Sequence, residues 1–194
     1  NYPMKFIFYM IFASIILSGC TFKSPLFNLT SIYDAYTINK DERGIYTIIK
    51  DNVIQKKLQA KILASANLSN FHLDIVSQWG EVLLIGEVAT MDDKIELINL
   101  ARDTMGINHI KTYINFKTPN ACHFFDELVL LTKIKTDLIA DPLIDSTNIN
   151  IHIVQWDVVF SGAVNSIEQE KRALWYALHT DGVNSAYSFL HVLN

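Results

Sequence analysis

Apolar residues recur every fourth position at Ile54, Leu58 and Ile62 and again at Leu130, Ile134 and Leu138, the spacing that lays one apolar stripe along a helix. Each stripe is followed by strict alternation: Phe71, Leu73 and Ile75 in the first case, Ile149, Ile151 and Ile153 in the second, with polar residues between them. A turn around Trp79-Gly80-Glu81 then leads into the apolar run Val82 to Val88, and Gln155-Trp156-Asp157 leads into Val158 to Val164. Both pairs predict β-hairpins. A second helix is predicted from about Met91 to Met105 and from about Ser166 to Thr180, where Ser166 and Gln169 have the spacing of a capping box. Gly106 and Gly182 stop these helices, because glycine takes the left-handed conformation that closes a last turn. Closing strands are predicted to begin at Ile110 and Ala186.

These two series are one series repeated. An offset of 76 residues places Lys57 on Lys133, Val82 on Val158, Gly86 on Gly162, Val88 on Val164, Gly106 on Gly182 and Asn108 on Asn184, without a gap. The order within each copy is αββαβ. Its strand, helix, strand segment requires a right-handed crossover, which puts the second helix on the sheet face that the first also occupies. The expected fold class is α+β: two tandem domains, each with two helices on one face of a small mixed sheet. The expected boundaries are 51–117 and 126–194, joined by a linker at 118–125 that contains Pro119. Residues 20–50 have few core-like periods and read as a tether.

The beginning of the chain changes the picture of where these domains work. From Met4 there is one basic residue, Lys5, then an uncharged segment from Phe6 to Leu17, then Ser18-Gly19-Cys20. The apolar run falls short of the roughly 20 residues that span a bilayer. Its flanks read as a secretory signal, residues 1–19, with a lipobox cut before Cys20, which would carry diacylglycerol and further acyl chains such as palmitate. The formal charge is −4, or −5 once Lys5 leaves with the signal, which sets aside nucleic acid as a partner. Cys122 is then a lone thiol, read as an inert linker cysteine, with a redox handle or a disulfide to a partner as alternatives.

The segments Leu84-Ile85-Gly86-Glu87-Val88 and Phe160-Ser161-Gly162-Ala163-Val164, with the glycines after each second helix and the closing strands, together resemble the BON domain. Two such domains behind a lipobox look like the dual-BON outer-membrane lipoproteins. The lead-in Asp41 to Asp51 is similar to a segment of that family. The resemblance implies a protein held by lipid on the periplasmic face of the outer membrane, where Thr21 rather than Asp follows Cys20. It implies binding of membrane phospholipid, anionic phospholipid included, and a role in envelope integrity and cell division. It implies no cofactor beyond the covalent lipid. In the resembled family the first helix of the second copy enters the membrane. Here that helix offers Phe124, Phe125, Leu128 and Val129 as apolar groups the core does not need, with Lys133 and Lys135 as cations for lipid phosphate. Val129 stands at the family's aromatic position, and Asp126 and Glu127 add opposing charge.

No catalytic residues are identified. The six His are scattered, and none has the spacing of a nucleophile, base and orienter set or of a metal site. His72 and His152 are expected as exposed strand residues, and no enzyme activity is expected. Lys50, Lys56, Lys57 and Lys61 make the first copy's helix the more basic one, read as a solvated face without exposed aromatics. The alternative function is a protein-interaction adaptor, in which the Phe124 and Phe125 patch docks an envelope assembly or peptidoglycan-remodelling partner.

Overall fold

The structure, a computed structural model, describes residues 44–118 and 124–193, without the side chains of Ile45, Phe124 and Phe125. Cys20 and Cys122 lie outside the described residues. The first copy comprises α1 (Ile45–Ala64), β1 (Leu73–Gln78), β2 (Glu81–Val88), α2 (Met91–Arg102) and β3 (His109–Phe116). The second comprises α3 (Phe124–Ala140), a short 3-10 turn (Ser146–Asn148), β4 (Ile149–Val154), β5 (Asp157–Val164), α4 (Ile167–Leu178) and β6 (Ser185–Val192). The αββαβ order thus occurs twice, as an α+β fold with two mixed sheets of three strands each.

Three element boundaries differ from expectation. Helix α1 starts at Ile45, inside the expected tether, because Ile48 and Asp51 extend the buried stripe of Ile54, Leu58 and Ile62 by two turns. Helix α3 starts at Phe124, inside the expected linker. Helix α2 ends at Arg102 rather than near Met105: Thr104 turns its hydroxyl back on the Leu100 carbonyl, and Gly106 takes φ of 101° just beyond. The expected cap at Ser166 is present, its hydroxyl accepting from the Gln169 N–H at 3.3 Å, while the Gln169 side chain reaches back one residue further, to the Asn165 N–H.

Within each sheet the central strand pairs antiparallel with its hairpin partner and parallel with the strand after the crossover helix. Both hairpin loops have two residues, Trp79-Gly80 and Gln155-Trp156, and all four have positive φ, from 53° to 77°. That is the primed-turn geometry whose twist matches the strands it joins. Asn108 and Asn184 donate their backbone N–H to the carbonyls of Gly80 and Trp156, both at 2.8 Å, tying each closing strand to its hairpin turn.

Gly86 and Gly162 are required by a close approach. A Cβ on Gly86 would lie 2.4 Å from the His72 carbonyl oxygen, and one on Gly162 would lie 2.0 Å from that of Asn148. The backbone entering β1 or β4 occupies the space a side chain would need.

The central strands are buried on both faces, and this determines how the copies combine. Val82, Leu84 and Val88 face α1 and α2 with Ile54, Leu58 and Leu97, while Val158, Phe160 and Val164 face the second copy's helices with Ile134, Leu138 and Ala173. The alternate residues Leu83, Ile85 and Val159 form a third cluster with Val154, Val76, Tyr113 and Phe189. The two sheets therefore pack on each other through the faces their helices leave open. Leu83 with Val159 and Tyr113 with Phe189 are equivalent under the 76-residue offset, so each copy uses the same positions, as in a two-fold dimer.

Candidate functional site

Helix α3 was expected to carry the functional surface. Its inner stripe, Leu130, Ile134 and Leu138, is no more than 3% exposed. A 3.6-residue turn then places Leu128 and Val129 on the outer side, with Lys135 seven residues after Leu128 and Lys133 four after Val129. Leu128 is 48% exposed and Val129 53%, and both lysines are exposed. Two polar residues within this face hide their polarity: Thr132 and Thr136 each donate a hydroxyl to the carbonyl four residues earlier, at 2.7 Å. Ile139, at 63% exposed, prolongs the apolar face. The helix brings the backbones of Phe124 and Phe125 to its first turn, and their side chains are outside the described residues.

Glu127 was expected to oppose an anionic surface, but it belongs to another environment. With His72, Asp74, Glu87 and Lys117 it lines a cleft of about 510 Å³ between the copies. Burial pushes its carboxyl above the usual carboxylate range, and the charges of Glu87 and Asp74 act in the same direction against the opposing effect of His72.

The cleft adjoins a clamp that no local pattern announces. His152 was expected on an exposed strand position, yet its side chain is 13% exposed and joins the two copies. Its Nδ1 is 2.7 Å from Asp74 Oδ2 on β1 and its Nε2 is 2.9 Å from Ser161 Oγ on β5. The hydrogen bond from His152 and its charge hold the Asp74 carboxyl below its ordinary value, against partial burial. Aspartate, histidine and serine in this order resemble a nucleophilic relay. However, Ser161 is 1% exposed between the sheets, where the group works as a polar clamp. Around it, the Tyr113 hydroxyl donates to Asp157 at 2.7 Å, the Gln155 side chain donates to the Phe116 carbonyl, and Trp79 meets the ring of His191 edge to face. Burial, with the Asp157 carboxylate beside it, raises the Tyr113 hydroxyl well above the usual phenol value.

The first copy's helix departs from expectation. Tyr46 is 81% exposed, so α1 does present an aromatic group, together with Ile49 and Val53. Lys61 spends its ammonium on the Asp103 carbonyl at 2.6 Å, where a cation complements the end of α2. Sequence reasoning also passed over the exposed face of α4, a helix it had predicted. Trp175 is 54% exposed, stacked on His179 with ring centroids 4.1 Å apart. It lies off the Ala173 and Ala177 stripe that fills the core, so helical periodicity gave no reason to single it out.

Over 179 residues, 91% of the chain, the protein is 20% identical to osmotically-inducible protein Y of Escherichia coli (strain K12), covering 89% of that protein. Among solved structures it is similar to the C-terminal domain of CdsD, the structural protein of the type III secretion system of Chlamydia trachomatis, at 10% identity and a TM-score of 0.31, covering 74% of this chain and 67% of that one. The BON domain family model matches twice, at residues 50–118 and 126–194. The two halves whose sheets pack on each other are therefore two BON domains, and the chain belongs to the BON-domain family.

Proposed function

We propose that this protein is a non-catalytic envelope component held by lipid on Cys20 at the periplasmic face of the outer membrane. Its second BON domain then binds membrane phospholipid through the outer face of α3 and so supports envelope integrity. Membership in the BON family and the lipobox motif at Cys20 support the placement. In this reading residues 1–19 are removed as a signal and the segment from Cys20 to the start of α1 spans from bilayer to domain.

The observation that carries the reading is an apolar outer face on α3 that no packing requires. Leu128, Val129 and Ile139 stay exposed on a helix whose inner stripe already fills the core, and Lys133 and Lys135 stand beside them. Full burial of one such aliphatic group is worth about 1.5–3 kcal/mol, and each lysine adds roughly 1 kcal/mol at an anionic surface. The sum supports weak, reversible contact that orients the domain, whereas multiple acyl chains hold permanently. Phe124 and Phe125 at the helix start belong to the same contact. The turn of Glu127 into the interdomain cleft removes one of the two charges that would oppose it.

Co-sedimentation of a Cys20→Ser protein with phosphatidylglycerol-containing vesicles tests this. Wild-type side chains on α3 should give salt-dependent binding, and Leu128→Asp with Val129→Asp should abolish it with an unchanged circular dichroism spectrum. Absence of binding by the protein with intact α3 would overturn the reading in favour of a protein-docking adaptor. Failure of the unsubstituted chain to incorporate labelled fatty acid would remove the anchor.

A further inference from the structure

The outer face of α4 differs from its counterpart on α2 more than the fold requires. At equivalent places α2 and the residue following it carry Ile95, Glu96, Asn99, Leu100 and Asp103, with a formal charge of −2; α4 and its following residue carry Lys171, Arg172, Trp175, Tyr176 and His179, with +2 when His179 is neutral. Leu100 and Tyr176 lean partly buried on their cores, beside the fully buried Leu97 and Ala101 on one side and Ala173 and Ala177 on the other, and the remaining members of each set are not part of those cores. The second set surrounds a groove of about 500 Å³ lined by Glu168, Lys171, Arg172, Trp175 and Tyr176.

The groove is ordered in advance. Trp175 has one face against His179 and an edge-to-face contact with Tyr176, so its ring is held upright while remaining 54% exposed. Arg172 donates Nε and Nη2 to Asp141, at 2.8 and 2.5 Å, which fixes the guanidinium and leaves Nη1 for a further acceptor. Lys171 is exposed beside it. His179 continues the surface to α3, since it shares a second groove with Thr132, Lys133 and Thr136.

We propose that this α4 groove is a second phospholipid contact of the second BON domain, in which Lys171 and Arg172 take the headgroup phosphate and Trp175 sits at the level of the membrane interface. An indole with an apolar body and one N–H is suited to that depth, and the Arg172 Nη1 that Asp141 leaves over, with the exposed Lys171 ammonium, supplies donors for a phosphate. The proposal rests on the membrane reading of α3 and adds a site that reading does not need. Continuity through His179 lets both helices touch one bilayer.

The test uses the Cys20→Ser chain, phosphatidylglycerol vesicles with brominated acyl chains, and tryptophan fluorescence. Bromine should quench the wild-type protein, and Trp175→Phe should remove most of the quenching although Trp79 and Trp156 remain. Lys171→Glu should weaken binding roughly tenfold, with thermal melting unchanged. Quenching that survives in Trp175→Phe, or vesicle binding unaltered by Lys171→Glu, would overturn the proposal while leaving the α3 reading intact. Loss of all vesicle binding by the wild-type protein would overturn both. Binding of glycerol phosphate or inorganic phosphate alone with the affinity seen for vesicles would identify a soluble ligand and also overturn it, as would a fluorescence response to soluble glycan fragments in place of lipid.

Discussion

Asp51 on α1 and Glu127 on α3 occupy the same place in the two BON domains and do opposite things. Asp51 is 1% exposed and accepts the backbone N–H groups of Trp79 and Gly80, at 2.8 and 2.9 Å, with the Ser77 hydroxyl beside them. It holds the first hairpin turn from within the domain. Glu127, one methylene longer, lines the cleft against the other copy, and the second turn is tied across the interface by Gln155 on the Phe116 carbonyl. The polar link between paired helices shows the same freedom. In the first copy Ser65 and Asn67 donate to Glu96, whereas in the second Asp141 accepts from Arg172, Tyr176 and the Leu143 N–H. Donor and acceptor have changed sides while the link remains. A repeat can thus exchange its polar connections as long as each donor keeps an acceptor, because an unmade bond at such a site costs more than a made one contributes.

What the copies cannot exchange should show the largest effects. Gly86→Ala and Gly162→Ala each place a methyl group 2.4 or 2.0 Å from a carbonyl oxygen, at φ of 138° and 116°. Each is expected to lose about 3 kcal/mol or more in urea unfolding. A loss in one copy and not the other would mean that the hairpin entry is not a shared constraint. The next effect separates the copies. Asp51→Ala strands two N–H groups at the turn, one of them buried, and should cost about 3 kcal/mol, on the order of 1–3 kcal/mol for each buried unsatisfied group. Glu127→Ala, which leaves no turn unsupported, should cost under about 1 kcal/mol. Equal losses would show that the two carboxylates still share a role.

This division between constrained and exchangeable positions also explains what could be read from the chain. Core elements were legible because burial imposes a period: four for Ile54, Leu58 and Ile62, two for Leu73 and Ile75. Glycine pairs were legible because the same steric demand recurs 76 residues later. The contact between the sheets was written only in unbroken apolar runs such as Val82 to Ile85, which a strand buried on both faces requires. The clamp between Asp74 and His152 spans 78 residues and exists only after the sheets dock, so no local pattern contains it. Tyr46 and Trp175 escaped because periodicity identifies what is buried and is silent on which exposed residues differ. Aligning the copies against each other reveals that second class, and it is where Trp175 stands opposite Asn99.

The smallest effect concerns pH and isolates Glu127 from its counterpart. Burial and the carboxylates of Glu87 and Asp74 raise the Glu127 carboxyl above its ordinary value of 4.5, so the folded protein holds this proton more tightly than the unfolded chain. For a carboxyl shifted in that direction, the favourable contribution is fully present below the unfolded value and is lost as pH rises through the folded one. Above that window the ionised group is a net cost. Glu127→Gln keeps the shape and cannot ionise, so it should match wild type near pH 4 and become the more stable protein toward pH 7. The gain is expected to stay under about 1 kcal/mol, because the cleft is open to solvent and water screens much of the repulsion. Thermal melts of the two proteins across this range give the difference directly. A gap that is constant with pH would trace the effect to packing, and a wild type more stable at pH 7 would mean that Glu127 has a cationic partner strong enough to reverse the balance, making it a second Asp51 after all.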